Sequence, residues 1–313
     1  MKTISLGKSS LVSTRLAYGC WRLAGSKDAT NITPDKEAIG RAAVLAAYEA
    51  GYTLFDLADI YADGAAERIF GEALREAPAM REHILICTKG GIRKAGVPDA
   101  SAPFRYDFSA AHLTAACEQS LERLGIETID LYLLHRPDYL CDPAEVAAVF
   151  SRLKQAGKVR EFGVSNFTPS QFSLLQKACP MPLLVNQVEI GLHRLEPFND
   201  GTLDQCLAKG VIPQAWSPLG GGRLVSNFVD MKDPHHARKQ KLLDTLDAIA
   251  RDHGATRTMI ALAWLLKHPA NIMPIVGSIT PERIQESAQA DAVELTREEW
   301  YRLYEAANGQ RLP

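Results

Sequence analysis

Tyr52-Thr53-Leu54-Phe55-Asp56-Leu57-Ala58-Asp59-Ile60-Tyr61 decides how the chain is read. A short apolar run ends in a carboxylate, Asp56, and a phenol, Tyr61, follows five residues later. Two further apolar runs end in Lys89 and in His135. Runs that are apolar throughout, instead of alternating, mark parallel strands covered on both faces. Such runs recur at residues 16–19, 52–56, 84–89, 129–135, 159–166, 183–189, 211–217 and 272–276.

Between the runs lie helical segments with legible starts. Thr33-Pro34, Ser109, Asp142-Pro143-Ala144-Glu145, Thr168-Pro169-Ser170-Gln171, Thr280-Pro281 and Thr296-Arg297-Glu298-Glu299 each supply a capping residue, several in the capping-box pattern. Gly51 and Gly125 end helices whose small and apolar residues share one face. Two helices, near 237–253 and 256–267, separate the last two strands. Residues 3–6 and 10–14 flank Gly7-Lys8-Ser9 as a hairpin. Residues 90–108 read as a long polar loop. Eight strands alternating with helices, with two helices to spare, predict an α/β chain: a (β/α)8 TIM barrel with a short N-terminal β-hairpin and two extra helices. A doubly wound open sheet would want a glycine-rich fingerprint after its first strand, and Gly19-Cys20-Trp21-Arg22 does not supply one.

The bulk properties agree. A chain of 313 residues could hold two domains, but barrels of this kind run long as one. No linker or change of composition divides it, so residues 1–313 are expected to form a single domain. Hydrophobic residues make up 46% and charged residues 23%, enough for a sizeable core. A formal charge of −2 gives no electrostatic case for nucleic acid or an anionic membrane surface. Cysteines 20, 87, 117, 141, 179 and 206 contain no CxxC pair and read as reduced packing residues. With no signal-like start and no apolar stretch long enough to span a bilayer, a cytoplasmic protein is expected.

In a barrel of this type the chemistry gathers at the C-terminal strand ends. Here those ends carry Asp56, Lys89, His135, Asn166, Gln187, Trp216 and Ser278. Taken singly, each has a plain structural explanation: a helix cap, a surface lysine, a hydrogen-bonded histidine. Asp59 reads as a loop carboxylate, His193 has no obvious partner, and His235-His236 read as solvated. Four of the strand-end group together make a proton-transfer set. Tyr61, neutral at pH 7, can donate to an oxygen becoming an alkoxide. The Lys89 ammonium would ease that donation, and Asp56 would be its counter-ion. His135 could hydrogen-bond the same carbonyl oxygen. Nothing offers a metal-ligand spacing or a strong covalent nucleophile.

The loops after the last two strands suit a phosphorylated ligand. Ser217-Pro218-Leu219-Gly220-Gly221-Gly222-Arg223 lets backbone N–H groups approach an anion, and Gly277-Ser278 leads to a helix start carrying Arg283. Gly220–Gly222 alone would be read as a flexible turn. Two such loops on adjacent strands point to a dinucleotide, on whose planar ring Trp216 could stack.

Several of these stretches resemble the aldo-keto reductases: Asp56 with Tyr61, Thr88-Lys89-Gly90, Ser120-Leu121-Glu122-Arg123-Leu124-Gly125, Ile129-Asp130-Leu131-Tyr132-Leu133-Leu134-His135, Gly157-Lys158-Val159-Arg160, Gly163-Val164-Ser165-Asn166-Phe167, Asn186-Gln187-Val188-Glu189 and Ser217-Pro218-Leu219-Gly220. Within that superfamily the chain is most similar to a bacterial, YdhF-like oxidoreductase branch, through His135-Arg136-Pro137-Asp138, Ser165-Asn166-Phe167-Thr168-Pro169 and Ala215-Trp216-Ser217 with its glycine loop. The resemblance implies metal-free, reversible reduction of small aldehydes and ketones with NADP(H), NAD(H) being possible, and no obligate protein partner. It implies Tyr61 as proton donor, tuned by Asp56 and Lys89, with His135 orienting the carbonyl. Ser165, Asn166 and Gln187 would hold the nicotinamide carboxamide and Trp216 would stack on its ring. Ser217, Leu219, Gly220 and Arg223 would line the pyrophosphate. Gly277, Ser278 and Arg283 would lie at the 2′-phosphate, and Glu286 and Ser287 at the adenosine end. Many relatives carry lysine, asparagine and tyrosine where Gly277, Ser287 and Trp216 stand. Ending at Pro313, the chain is expected to lack a long C-terminal substrate loop, leaving an open pocket walled by Trp21 and the 90–108 loop. The same fold also serves as a cofactor-binding accessory or sensor subunit, which is the alternative reading.

Overall fold

The structure is a computed structural model that describes residues 1–226, 229 and 233–313. Strands β1 (Thr3–Ser5) and β2 (Val12–Thr14) pair antiparallel, Thr3 opposite Thr14. Eight strands then close a parallel barrel: β3 (Ala17–Gly19), β4 (Leu54–Asp56), β5 (Leu85–Gly90), β8 (Ile129–Leu134), β9 (Val159–Ser165), β10 (Leu183–Glu189), β11 (Ile212–Trp216) and β12 (Met273–Val276), with β12 returning to β3. The expected fold is therefore the observed one, N-terminal hairpin included. The 90–108 stretch, expected as plain loop, instead carries a short antiparallel ribbon, β6 (Ile92–Arg93) with β7 (Arg105–Tyr106). Its pairing spans eleven intervening residues, which no local sequence signal announces.

Among the described residues ten helices surround the barrel: α1 (Pro34–Glu49), α2 (Ala65–Glu76), α3 (Ala110–Leu124), α4 (Pro143–Gln155), α5 (Pro169–Ala178), α6 (Thr202–Lys209), α7 (His236–Asp252), α8 (Arg257–Leu266), α9 (Pro281–Gln289) and α10 (Arg297–Asn308). The two beyond one per strand are α7 and α10, which pack on each other. The capping boxes of α5 and α10 are formed as their sequences foretell. That of α4 is not: Asp142 accepts from Ala144 N, while Glu145 reaches across to Ala110 N, 2.7 Å away at the start of α3. Interhelix bonding displaced the local box.

Strand alternation divides the core in two. Residues two apart face the same way. Leu54, Leu85, Cys87, Leu131, Leu133, Val185, Ile212 and Met273 pack together inside the barrel, with Leu6 and Leu11 of the hairpin plugging this cluster. The residues between them, such as Phe55, Ile86, Tyr132 and Phe162, face the helices. Extending each inward column two residues toward the C-terminal rim brings Leu54 to Asp56, Cys87 to Lys89, Leu133 to His135, Val185 to Gln187, and Ile212 through Gln214 to Trp216. The apolar interior thus ends in a polar layer at one mouth.

Candidate active site

Lys89 is the hub of that layer. Its side chain is fully buried, and its Nζ donates to Asp56 Oδ2 at 2.8 Å, to the Leu57 carbonyl at 2.6 Å and to the Tyr61 hydroxyl at 3.2 Å. All three ammonium donors are used, so the lysine is held at one point. Tyr61 lies on the turn beyond β4, and its ring meets that of His135 edge-on at 5.9 Å. The backbone at Ala62 and Asp63 is left-handed, with φ of 48° and 57°, which turns the chain into α2. Lys94 clasps Asp63 at the outer edge of this turn. The four side chains expected to act together are therefore side by side.

Their electrostatics follow from burial against pairing. Burial opposes the Lys89 charge, but Asp56 and Tyr61 more than offset it, and the ammonium is held above its ordinary value. Burial pushes Tyr61 up to about 12; the Lys89 charge pulls against that rise and Asp56 adds to it. Burial, Lys89 and Arg136 all drive His135 well below the usual imidazole range, so it is neutral. Its Nδ1 is buried without a partner among the described residues.

The neighbouring polar groups form one continuous network. Gln187 Nε2 donates to Asp56 Oδ1 at 2.8 Å and to Gln214 Oε1 at 2.9 Å. Ser165 Oγ donates to the Gln187 carbonyl at 2.9 Å. Asn166, left-handed at φ 62°, donates through Nδ2 to Ser165 Oγ and to the His135 carbonyl, and its Oδ1 accepts from Trp216 Nε1 at 3.0 Å. The Asn166 amide is thus engaged in fixing the Trp216 ring. The Gln187 Oε1 has no protein partner among the described residues and remains an open acceptor.

The glycine loop follows directly. Ser217 is left-handed at φ 52°, and Gly220, Gly221 and Gly222 follow at φ 61°, 69° and 100°. Three successive positive angles are open only to glycine without strain. Among the described residues a Cβ added at Gly221 or Gly222 would meet nothing within 4 Å, so that side of the loop is clear of them. Arg223 folds back, its Nε donating to Gly220 O at 2.8 Å, and Leu219 is half-buried against the same core cluster as Ile279. On the adjacent strand, Ser278 is pinned by Tyr18, whose hydroxyl donates to its carbonyl at 2.8 Å. Gly277 and Glu286 are partly exposed and Arg283 is exposed, whereas Ser287 is buried with Oγ spent on the Arg283 carbonyl. Trp21, 44% exposed, stands on the loop after β3 with Lys27 Nζ 4.9 Å from its ring centre. Among the described residues no hydrogen bond or ring contact joins it to the four central residues. A cavity of about 880 Å³ lies beyond Arg223, between Leu192, Glu196, Arg238 and Lys239, and none of the four borders it.

Some participants escaped the sequence reading. Gln214 sits mid-strand and is fully buried, yet it positions Gln187; a lone amide in an apolar run was its one signal. Glu67 is also fully buried, taking Thr88 Oγ1 at 2.5 Å and Arg123 Nε at 2.7 Å. Asp59 is indeed on a loop, but it is not solvated: burial and Glu67 push it up to about 7, against Arg123 and the Ile60 backbone, and its Oδ1 has no partner among the described residues. His193 does find a partner, Glu189 Oε1 at 3.3 Å.

Comparison with known proteins agrees with this geometry. The profile of the aldo/keto reductase family matches residues 15–308. A 6-dehydroglucose reductase from Novosphingobium aromaticivorans is 43% identical over 98% of this chain and 96% of its own length. The oxidoreductase YdhF of Escherichia coli is 42% identical over 84% of this chain and 85% of its own. The solved glycerol dehydrogenase AKR11B4 of Gluconobacter oxydans superposes with a TM-score of 0.86 at 26% identity, covering 98% of this chain and 95% of that one.

Proposed function

The chain belongs to the aldo/keto reductase family, and from that premise we propose that it reduces small polar aldehydes with NADPH, Tyr61 donating the proton. The observation that carries the reading is the contact of the buried Lys89 ammonium with both Asp56 and the Tyr61 hydroxyl. A polar, sugar-like aldehyde is the proposed substrate class because the relative sharing 43% identity is a 6-dehydroglucose reductase. The cytosol is the proposed setting, where the six free thiols would stay reduced.

The residues present fit a nicotinamide dinucleotide. Gln187 Oε1 is an unpartnered acceptor at the rim, the Trp216 ring is fixed by Asn166 and partly exposed, and the left-handed glycines leave one side of their loop clear. Gln187 and Ser165 would hold the carboxamide, Trp216 the ring, and the Gly220 loop with Arg223 the pyrophosphate. Gly277, Ser278 and Arg283 would meet a 2′-phosphate, with Glu286 and Ser287 at the adenosine end. When bound, the reduced cofactor supplies the hydride.

The chain's own part is to place and protonate the carbonyl oxygen. Neutral His135 can donate one hydrogen bond to that oxygen and fix its direction. Tyr61 donates the second and gives up its proton as charge develops. A phenol near 12 is still a far stronger acid than an alcohol, so transfer to an alkoxide runs downhill. The adjacent ammonium stabilises the phenolate left behind, and Asp56 keeps that ammonium charged inside the barrel.

The test is absorbance of the reduced nicotinamide with a panel of aldehydes, NADPH and NADH in parallel, and Tyr61→Phe beside the wild type. We expect wild type to consume NADPH in preference to NADH. The variant should lose roughly 10²–10⁴ in kcat with cofactor affinity unchanged. Equal loss of turnover and cofactor binding would remove Tyr61 from the donor role. Tight NADPH binding by an inert wild type would support a sensor subunit instead.

A further inference from the structure

Arg136 directly follows His135, and its guanidinium carbon stands 5.6 Å from the centre of the Trp216 ring. Trp216 ends β11, whereas Arg136 lies just beyond β8, with β9 and β10 between them in the barrel. The Trp216 indole is in turn bonded to Asn166 at the end of β9, and Asn166 to the His135 carbonyl. The arginine therefore does not lean outward from its strand. It crosses the mouth of the barrel beside the proton-transfer group.

Arg136 is partly buried, and among the described residues its guanidinium has neither a carboxylate partner nor a hydrogen bond. Other partly buried arginines have their donors engaged: Arg93 with Asp107, Arg123 with Glu67, Arg257 with Asp247, and Arg105 with the Val97 and Pro103 carbonyls. The carboxylate nearest in sequence, Asp138, is committed elsewhere, accepting from Phe108 N and Leu140 N at 2.9 Å each. Stacking on an indole satisfies the face of a guanidinium and none of its five N–H groups. A planar fork of donors left open beside a carbonyl-binding pair matches a carboxylate or phosphate, which it can grip through two parallel bonds. A lone surface arginine would carry no such meaning, since water would satisfy it.

The cofactor's own phosphates are a poor match for this fork. The loops that fit them follow β11 and β12, and β12 stands diametrically opposite β8 in the closed barrel. Arg136 is on the side of His135 and Tyr61, where a substrate must sit. The other cations at that rim, Arg22 and Lys27 around Trp21, also lack carboxylate partners among the described residues. They add to the pull on an incoming anion.

We propose that Arg136 is the substrate-recognition residue of this site and that it selects carbonyl compounds bearing a carboxylate or phosphate. This rests on the reductase reading above and adds a substrate charge to it. Because the grip is on a group away from the reacting carbonyl, it is made alike in the ground and transition states. Its loss should therefore raise KM and leave kcat largely intact.

The experiment uses the full chain with saturating NADPH and two matched substrate pairs: succinic semialdehyde against butanal, and glyceraldehyde 3-phosphate against glyceraldehyde. We expect wild type to favour the charged member of at least one pair by ~10–100-fold in kcat/KM, the range of a charge-assisted hydrogen-bonded pair. Which pair shows it separates carboxylate from phosphate. Arg136→Met should abolish the preference through the KM of the charged member, judged against the uncharged member of the same pair in the same variant, and Arg136→Lys should restore part of it. A wild type that reduces charged and uncharged members equally overturns the proposal, as does an Arg136→Met enzyme that keeps the preference. Equal losses on both members, with weaker NADPH binding, would assign the arginine to the cofactor and also overturn it. A second measurement needs no turnover: calorimetric binding of succinate and of inorganic phosphate to the NADPH complex. Binding of either that disappears in Arg136→Met upholds the recognition role even if the reductase reading fails. Binding of neither, or binding unchanged by the substitution, removes that role.

Discussion

At the scale of the residue, the site is a set of charges kept where water would normally hold them. Lys89 survives in the barrel because Asp56 and the Leu57 carbonyl occupy its donors, and His135 is kept neutral by its burial, with the Lys89 and Arg136 charges adding to the effect. A second set lies behind it, around Asp59 and the buried Glu67–Arg123 pair. There the balance falls the other way. Glu67 already takes the Arg123 charge, so Asp59 is buried beside a like charge and is carried up to about 7. The sign of the resulting pH dependence follows. Between about 3.9, the value in an unfolded chain, and 7, the folded protein keeps this proton while the unfolded chain has lost it. The stabilisation is complete below the lower value and disappears as pH rises through the upper one. We therefore expect the urea-unfolding free energy of the wild type to fall from pH 4.5 to pH 7.5 by roughly 2–4 kcal/mol more than that of Asp59→Asn. The amide cannot ionise and should be the more stable form at the higher pH. Parallel curves for the two proteins would show that Asp59 ionises freely in the fold.

At the scale of the element, most local signals formed, though Thr280 begins α9 without a side-chain cap and the Asp142–Glu145 box gave way to a distant bond, and what depended on a neighbour did not show. Thr33, Ser109 and Thr168 cap α1, α3 and α5 as their sequences indicate, because the bond each makes is to its own first turn. The β6–β7 ribbon and the diverted Glu145 were invisible because each answers to a distant partner. Gly40 is a case of both. On α1 it reads as a weak helix residue, and replacing it by alanine should gain about 1 kcal/mol of propensity. In the fold, a Cβ there would lie 2.2 Å from the Leu23 carbonyl oxygen and 3.1 Å from an Ile69 methyl. Neither can swing aside, since one is backbone and the other belongs to a core residue. Tertiary contact should win: Gly40→Ala is expected to lose at least ~2 kcal/mol, read as a lower urea midpoint with unchanged slope. A neutral or raised midpoint would mean that α1 can ride off the β3 loop without cost.

At the scale of the whole molecule, the barrel was readable because its signal repeats. Eight apolar runs, seven of them leading to a side chain with a polar group at or just past the strand end, outvote any one ambiguous boundary. Lys89 and His135 were readable for the same reason, each standing two residues beyond an inward apolar pair. Asp56 follows the single inward Leu54, and Tyr61 was readable only through its place five residues after Asp56. The order within the polar layer was not, because Gln214 to Gln187 to Asp56 is a path across strands distant in sequence. Closure also joins the ends of the chain. Lys2 and Arg15 both meet Asp291, and Trp264 of α8 and Trp300 of α10 stack at 4.9 Å, each indole donating to the other's backbone carbonyl at 3.0 Å. If residues 1–313 are one cooperative unit, these ties should make the C-terminal helices melt with the barrel. We expect calorimetry to give a single unfolding peak that moves upward whole when NADP⁺ is added. At about one hundred times Kd the gain should approach ~2.7 kcal/mol. Trp300→Ala opens the reciprocal pair and removes a stacked ring, so the peak should fall by the equivalent of ~3–5 kcal/mol, yet remain single and still respond to cofactor. A peak that splits, with one part insensitive to NADP⁺, would show instead that α7 and α10 fold apart from the barrel they cover.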